Sequence, residues 1–236
     1  MKPVAIFRHV AHEGPGFLAD FLDAHGIPWQ LVAVDQGSAI PAEANAYAGL
    51  VFMGGPMSVN DDLDWIHHSL TLIRRAVAAG IPVLGHCLGG QLIAKAMGGA
   101  ISLNPVKEIG WATARVTTAP EAAAWFAGQT EFPAFHWHGE TFSIPDGAVR
   151  ILETVHCANQ AFVLDGKHLA LQCHVEMTEA MIREWCAVGA EEIAAANSPA
   201  VQTPERILAQ MPENLPAMSA MAERIYARWV AGLASA

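Results

Sequence analysis

Little in this 236-residue chain points to a covalent staple, a membrane anchor or a polyanionic partner. Its four cysteines (Cys87, Cys157, Cys173 and Cys186) form no Cys-X-X-Cys pair. That spacing excludes a zinc-finger pattern and offers no disulfide framework, so reduced thiols in a cytoplasmic protein are expected. No apolar run reaches the roughly 18 residues of a membrane helix. The run before Arg8 is a strand, too short for a signal peptide. Lys and Arg total 13 against 23 Asp and Glu, a net charge of −10. With no basic block, neither nucleic acid nor an anionic membrane is expected as a partner. The nucleotide loop Gly-X-X-X-X-Gly-Lys-Ser/Thr is missing, as are internal repeats, low-complexity tracts and long linkers.

What is present is apolar residue in quantity, 53% of the chain. That suffices for one large core, so residues 1–236 read as one domain, with about 197–236 as a helical C-terminal extension. Val4 to Phe7, Trp29 to Val34, Ala48 to Met53 and Ile81 to Leu84 read as strands. Helical spacing over Gly14 to His25 and Asp61 to Ala79 separates them. Such alternation predicts an α/β fold with a central, mostly parallel sheet flanked by helices. Val106 to Thr118 and Gly147 to Glu176 are strand-like. Asn159 to Leu164 and His168 to Cys173 form a hairpin about Asp165-Gly166-Lys167, which predicts an antiparallel extension. Thr178 to Ala196 reads as one helix. Another opens at Thr203-Pro204, and a last one runs from Leu215.

The chemistry concentrates at two strand ends. Ile81 to Leu84 runs into Gly85-His86-Cys87-Leu88-Gly89, and a helix-compatible segment follows. This is the pattern of a nucleophile elbow with cysteine as the nucleophile. Gly85 and Gly89 let the tight turn approach its neighbours, and the helix N-terminus favours the thiolate. A thiol attacking an amide needs a base that later hands its proton to the leaving amine, and the base needs a carboxylate to fix its tautomer. In Gln172-Cys173-His174-Val175-Glu176, His174 and Glu176 are two apart and share a face on an extended chain. Cys173 then points the other way, into the core. A second glycine turn, Gly54-Gly55-Pro56, ends the third strand. In open α/β sheets both turns would face one crevice, with His9 and His12 at its rim. His136-Trp137-His138-Gly139-Glu140 carries metal-ligand residue types, but no third His or Cys stands at metal-like spacing in that segment. Neither a metal site nor a cofactor is expected. His86 is expected to pack under the elbow.

Gly85-His86-Cys87-Leu88-Gly89-Gly90-Gln91 together with Gln172-Cys173-His174-Val175-Glu176 resembles the class I, triad-type glutamine amidotransferases, and in particular their GMP-synthase-like branch. The chain departs from that pattern where Cys173 stands for Phe and Val175 for Pro, and neither change removes a reacting group. The resemblance implies a flavodoxin-like amidotransferase fold. It also implies Cys87 as nucleophile, His174 as base and acid, and Glu176 as orienter. The backbone N–H groups of Gly55 and Leu88 would form the oxyanion hole, with Gln91, Gly139 and Glu140 holding the substrate. The expected activity is hydrolysis of glutamine or a γ-glutamyl amide through a Cys thioester. Ammonia would pass to a separate synthetase partner, since the chain shows no synthetase of its own. The alternatives are a stand-alone γ-glutamyl peptidase and, in another class, a non-catalytic small-molecule-binding protein on the same fold.

Overall fold

The computed structural model describes residues 1–233. Its centre is a parallel sheet built from β1 (Val4–Arg8), β2 (Trp29–Ala33), β3 (Gly49–Phe52), β4 (Val83–His86) and β9 (His168–Leu171), hydrogen-bonded in the order β2-β1-β3-β4-β9. β1, β3, β4 and β9 are buried almost throughout. Strands covered on both faces carry continuous apolar runs, and these do. Beyond β9 the sheet turns antiparallel through β8 (Ala161–Leu164), β7 (Val149–Glu153), β5 (Ile101–Val116) and β6 (Glu131–Phe142). A short strand, β10 (Ala200–Val201), pairs with the edge of β5. The α/β class, the mostly parallel centre and the antiparallel extension are therefore as the sequence predicts.

Helices cover both faces. α2 (Asp64–Ala78) and α3 (Leu88–Ala96) pack one side around Phe7, Phe52, Ile73 and Leu92. The other side takes α1 (Phe17–Ala24), α4 (Pro120–Phe126), α5 (Glu179–Val188), α6 (Ala190–Ala195) and α7 (Pro204–Val230). Two expectations need correction. The helix predicted over Thr178 to Ala196 breaks at Gly189, where a Cβ would overlap the Trp137 ring and the chain must turn. The two helices predicted after Thr203 are one, α7, running through Pro212 and Pro216. Each internal proline removes a hydrogen bond and crowds the preceding turn. The apolar stripe Met211, Met218, Met221, Ile225 and Trp229 is buried on the core, and that packing overrides local propensity. α7 thus belongs to the same core as the sheet.

Candidate active site

The carboxyl ends of β1, β3 and β4 open on a cavity of about 500 Å³. Its floor is the turn from β4 into α3. Cys87 stands there as the N-cap residue with φ 48° and ψ −108°, a left-handed φ that a non-glycine residue rarely adopts. The turn survives because its neighbours lack side chains. A Cβ on Gly85 would overlap the Gly89 backbone, and one on Gly89 would overlap the Phe52 carbonyl. Cys87 N–H donates to Leu171 O at 2.8 Å, which pins the elbow to the end of β9. Leu88 is the first residue of α3, so its N–H has no intrahelical acceptor. Gly55 lies against the Leu88 side chain, where a Cβ would meet Leu88 Cδ2 at 2.8 Å.

His174 lies three residues beyond β9, held by its N–H on Phe135 O at 2.8 Å. Its Nδ1–H donates to Glu176 Oε1 at 2.6 Å, and both side chains are buried. The outer nitrogen, Nε2, finds no hydrogen-bond partner of good geometry and faces the Cys87 sulfur. Burial opposes a charge on His174, but Glu176 and the Cys87 sulfur outweigh it and raise its pKa well above the ordinary value. Burial likewise opposes a charge on Glu176, yet His86 and His174 hold its pKa below the ordinary carboxylate value. Cys87, His174 and Glu176, predicted from two separate motifs, come together here.

The other predicted residues line the same cavity or its floor. Gln91 is buried and donates from Nε2 to Gln172 Oε1 at 3.2 Å. Gln172 in turn donates to Cys87 Sγ at 3.5 Å. Gly139 and Glu140 form the wall beyond Cys87, and Glu140 accepts from Ser58 Oγ at 3.0 Å. Cys173 is fully buried, and burial pushes its thiol pKa far up, as befits a core residue. His12 lines the cavity. His9 does not; it is buried, donating from Nδ1 to the carbonyls of Met53 and Gly54 and stacked on Trp65. His86 packs under the elbow, with Nε2 3.1 Å from Tyr226 Oη and 3.7 Å from Glu176 Oε2.

Three contributors are absent from the sequence reading. Glu13 enters from the loop after β1, Trp185 from α5 and Tyr226 from α7. No spacing rule could pair Tyr226 with His86, 140 positions away. The third partner sought for His136 and His138 also exists, on a different strand. Glu108 of β5 is in register with His138 of β6, and ligating atoms of Glu108, His136 and His138 lie within 4.8 Å of one another. The carboxylate of Glu108 is already occupied. It accepts from Thr154 Oγ1 at 2.8 Å and Gln160 Nε2 at 2.7 Å, and His138 Nε2 sits 2.9 Å away. Glu108 and His138 are thus tied into a hydrogen-bonded brace behind Gly139 and Glu140, while the ring nitrogens of His136 have no partner of good geometry among the described residues.

A thiol at a left-handed φ on a strand-to-helix turn thus stands beside a buried His–Glu pair at the strand ends of an α/β fold. The profile of the family described as glutamine amidotransferase class-I matches residues 18–182, and the chain belongs to that family. A glutamine amidotransferase-like protein of Salmonella typhimurium, YfeJ, is 30% identical over 179 residues, covering 72% of this chain and 74% of that one. The glutamine-hydrolysing GMP synthase of Vibrio vulnificus is 30% identical over 132 residues, but the chain spans only 24% of its length. Among solved structures, a glutamine amidotransferase from Methylobacillus flagellatus superposes with a TM-score of 0.98 at 48% identity, covering 100% of this chain and 97% of that one. No described helix is long and apolar enough to cross a membrane.

Proposed function

We propose that the protein hydrolyses the side-chain amide of glutamine or of a γ-glutamyl compound through a thioester on Cys87. The observation that carries this is the buried His174–Glu176 pair whose free imidazole nitrogen faces the Cys87 sulfur. His174 takes the thiol proton, and the sulfur attacks the γ-carbonyl carbon. Negative charge collects on the carbonyl oxygen, where the N–H groups of Gly55 and Leu88 receive it; one such donor is worth about 100-fold or more in rate. The C–N bond breaks as His174 returns its proton to the leaving nitrogen, and ammonia or an amine departs. Water then attacks the thioester, giving one proton to His174; the C–S bond breaks, His174 returns that proton to the sulfur, and the γ-carboxylic acid departs and ionises in solvent. Glu176 holds the tautomer and balances the imidazolium throughout. Gln91, Gly139 and Glu140, which line the cavity, would grip the α-amino and α-carboxylate end of the substrate.

Two outcomes share this chemistry. As an amidotransferase, the protein would hand ammonia to a separate synthetase subunit. As a stand-alone γ-glutamyl peptidase, it would release an amine to solvent. A cavity of about 500 Å³ lies in the roughly 300–1,000 Å³ range of sites for drug-sized ligands, which favours the second reading for at least some substrates. The intact thiol, imidazole and carboxylate argue against a purely binding role. We place the whole chain in one working unit, acting in the cytoplasm without metal or cofactor. The test is release of ammonia or amine from glutamine and a panel of γ-glutamyl amides by the wild type and by Cys87→Ser. Turnover by the wild type with loss in the variant is expected; full activity in Cys87→Ser would refute the thioester route.

A further inference from the structure

We propose that the part of the cavity lined by Glu13 and Trp185 receives the leaving amine, and that these two side chains make this compartment selective for amines carrying a second positive charge. This rests on the hydrolytic reading above, because it is His174 that fixes which side the leaving nitrogen occupies. The nitrogen must lie within reach of the imidazole to take its proton, so whatever is attached to it extends along the wall around His174. Two side chains build that wall. Trp185 meets the His174 ring edge-on at 4.8 Å. Glu13 is its neighbour across Gly54, where a Cβ would overlap Glu13 Oε2 and crowd His174 Cε1.

The wall is a built one. His9 is tied to the Met53 and Gly54 carbonyls at the start of the loop that carries Glu13. At its end, Phe17 N–H donates to Glu176 O at 2.8 Å. Between them, Trp185 Nε1–H donates to His12 O at 2.8 Å. The loop is thus fastened to β3, to the His174–Glu176 segment and to α5, and it carries Glu13 into the cavity. The Glu13 side chain is 13% exposed, and His12 Nε2 stands 4.0 Å from it. The cavity's other carboxylates are committed. Glu192 takes Lys107 and the Trp137 indole, and Glu140 takes Ser58. Lys107 is the one Lys or Arg in the described lining, and its pairing with Glu192 leaves no free cation for an anionic leaving group. An unengaged carboxylate beside two tryptophan rings, Trp185 and Trp137 at 5.9 Å from each other, suits an organic ammonium.

The expected discrimination depends on pH. Burial, with smaller contributions from Glu176 and Glu192, raises the Glu13 carboxyl pKa to about 7, against the opposing pull of His174. His12 is the remaining titratable neighbour on its own loop. Selectivity for a cationic amine should therefore strengthen as pH rises through about 7 and Glu13 ionises.

The experiment compares three γ-glutamyl amides of matched length, made from 1,4-diaminobutane, butylamine and 4-aminobutanoate. The wild type should favour the cationic over the neutral amide by about tenfold or more in kcat/KM, the scale of a charged contact. The anionic amide should rank last. Glu13→Gln should collapse the cationic-to-neutral ratio toward one, a readout that cancels any loss common to both. Calorimetric affinities of the same three amides for Cys87→Ala report the compartment without turnover. If no amide is hydrolysed yet the affinities keep this order, the hydrolytic reading fails and the compartment stands. If hydrolysis proceeds with no cationic preference, or with a ratio indifferent to Glu13→Gln, the compartment is overturned and the hydrolytic reading stands.

Discussion

Two buried His–carboxylate pairs flank the same cavity. His174 Nδ1 sits 2.6 Å from Glu176, and His138 Nε2 sits 2.9 Å from Glu108. By distance and burial they are near equivalents. They differ in the second ring nitrogen. That of His138, Nδ1, is 2.9 Å from Glu140 O, and the Glu108 carboxylate is shared with Thr154 and Gln160. That of His174, Nε2, has no such partner and faces a thiol. A pair with both ring nitrogens engaged is a brace, and it fixes the strand bearing Gly139 and Glu140. A pair with one nitrogen held open can move a proton. On the proposed function, pairing supplies rigidity to both, and the open nitrogen supplies chemistry to one.

The most severe way to break this comparison is to remove what the open nitrogen faces. Cys87→Ala should lower amide hydrolysis by about 10⁴-fold or more, while circular dichroism and melting stay close to wild type. Hydrolysis within tenfold of wild type would place the nucleophile elsewhere. Next come the two carboxylates, changed in the same manner. Glu176→Gln should cost about 10³- to 10⁴-fold in kcat, the scale of losing a triad orienter. Glu108→Gln should act chiefly on stability. Weakening the hydrogen bonds that converge on this buried carboxylate costs about 1.5–3 kcal/mol, which at about 2–4 °C per kcal/mol for a chain of this size lowers the melting temperature by roughly 3–12 °C. A reversed outcome, with activity lost in Glu108→Gln and only stability in Glu176→Gln, would exchange the roles assigned here.

A smaller effect separates the histidines whose pKa burial lowers from the one whose pKa is raised. Burial lowers the pKa of His9 to about 4, His136 to about 3 and His168 to about 4. Unfolded, each would protonate near about 6.5. The unfolded state therefore binds more protons between about 6.5 and these lower values, and stability falls as pH drops through that window. His174 has the opposite sign. Its raised pKa stabilises the fold fully below about 6.5, and that contribution is lost as pH rises through the folded-state value. Denaturant titrations from pH 7 down to 4 should show declining stability, with the steepest part of the decline softened in His136→Gln. A profile that is flat in the wild type, or unchanged in the variant, would show that these rings are not held neutral by the fold.

The elbow was legible because its geometry is written in adjacent letters: Gly85 and Gly89 mark where no Cβ fits, and Cys87 stands between them. His174 and Glu176 were legible for a similar reason, since a spacing of two puts both on one side of an extended chain. The brace was half legible. His136 and His138 stand out, but Glu108 reaches them only through the β5–β6 register, which shifts between Leu103 and Glu108. A bulge of that kind has no strong local signature, so the third partner could not be read from spacing. The break at Gly189 was hidden because what excludes a side chain there is Trp137, from a distant strand. The continuity of α7 was hidden because its prolines argue locally for a stop, while its support comes from tertiary packing.

The finest test concerns the link between α7 and the open pair. Tyr226 is fully buried, and its hydroxyl lies 3.1 Å from His86 Nε2, which in turn stands 3.7 Å from Glu176 Oε2. Burial holds the His86 pKa down and the Tyr226 pKa well up. Both stand on the side of Glu176 away from His174. Tyr226→Phe keeps the ring in place and removes one hydrogen bond, at about 0.5–1.5 kcal/mol. If the hydroxyl helps to aim His86 at Glu176, the variant should lose roughly three- to tenfold in kcat, with a displaced pH profile and little change in KM. If it serves packing alone, melting will shift while the pH profile stays put. The first outcome would make the C-terminal helix part of the machinery that keeps one imidazole nitrogen open. The second would leave the vacancy at His174 to the sheet and the elbow alone.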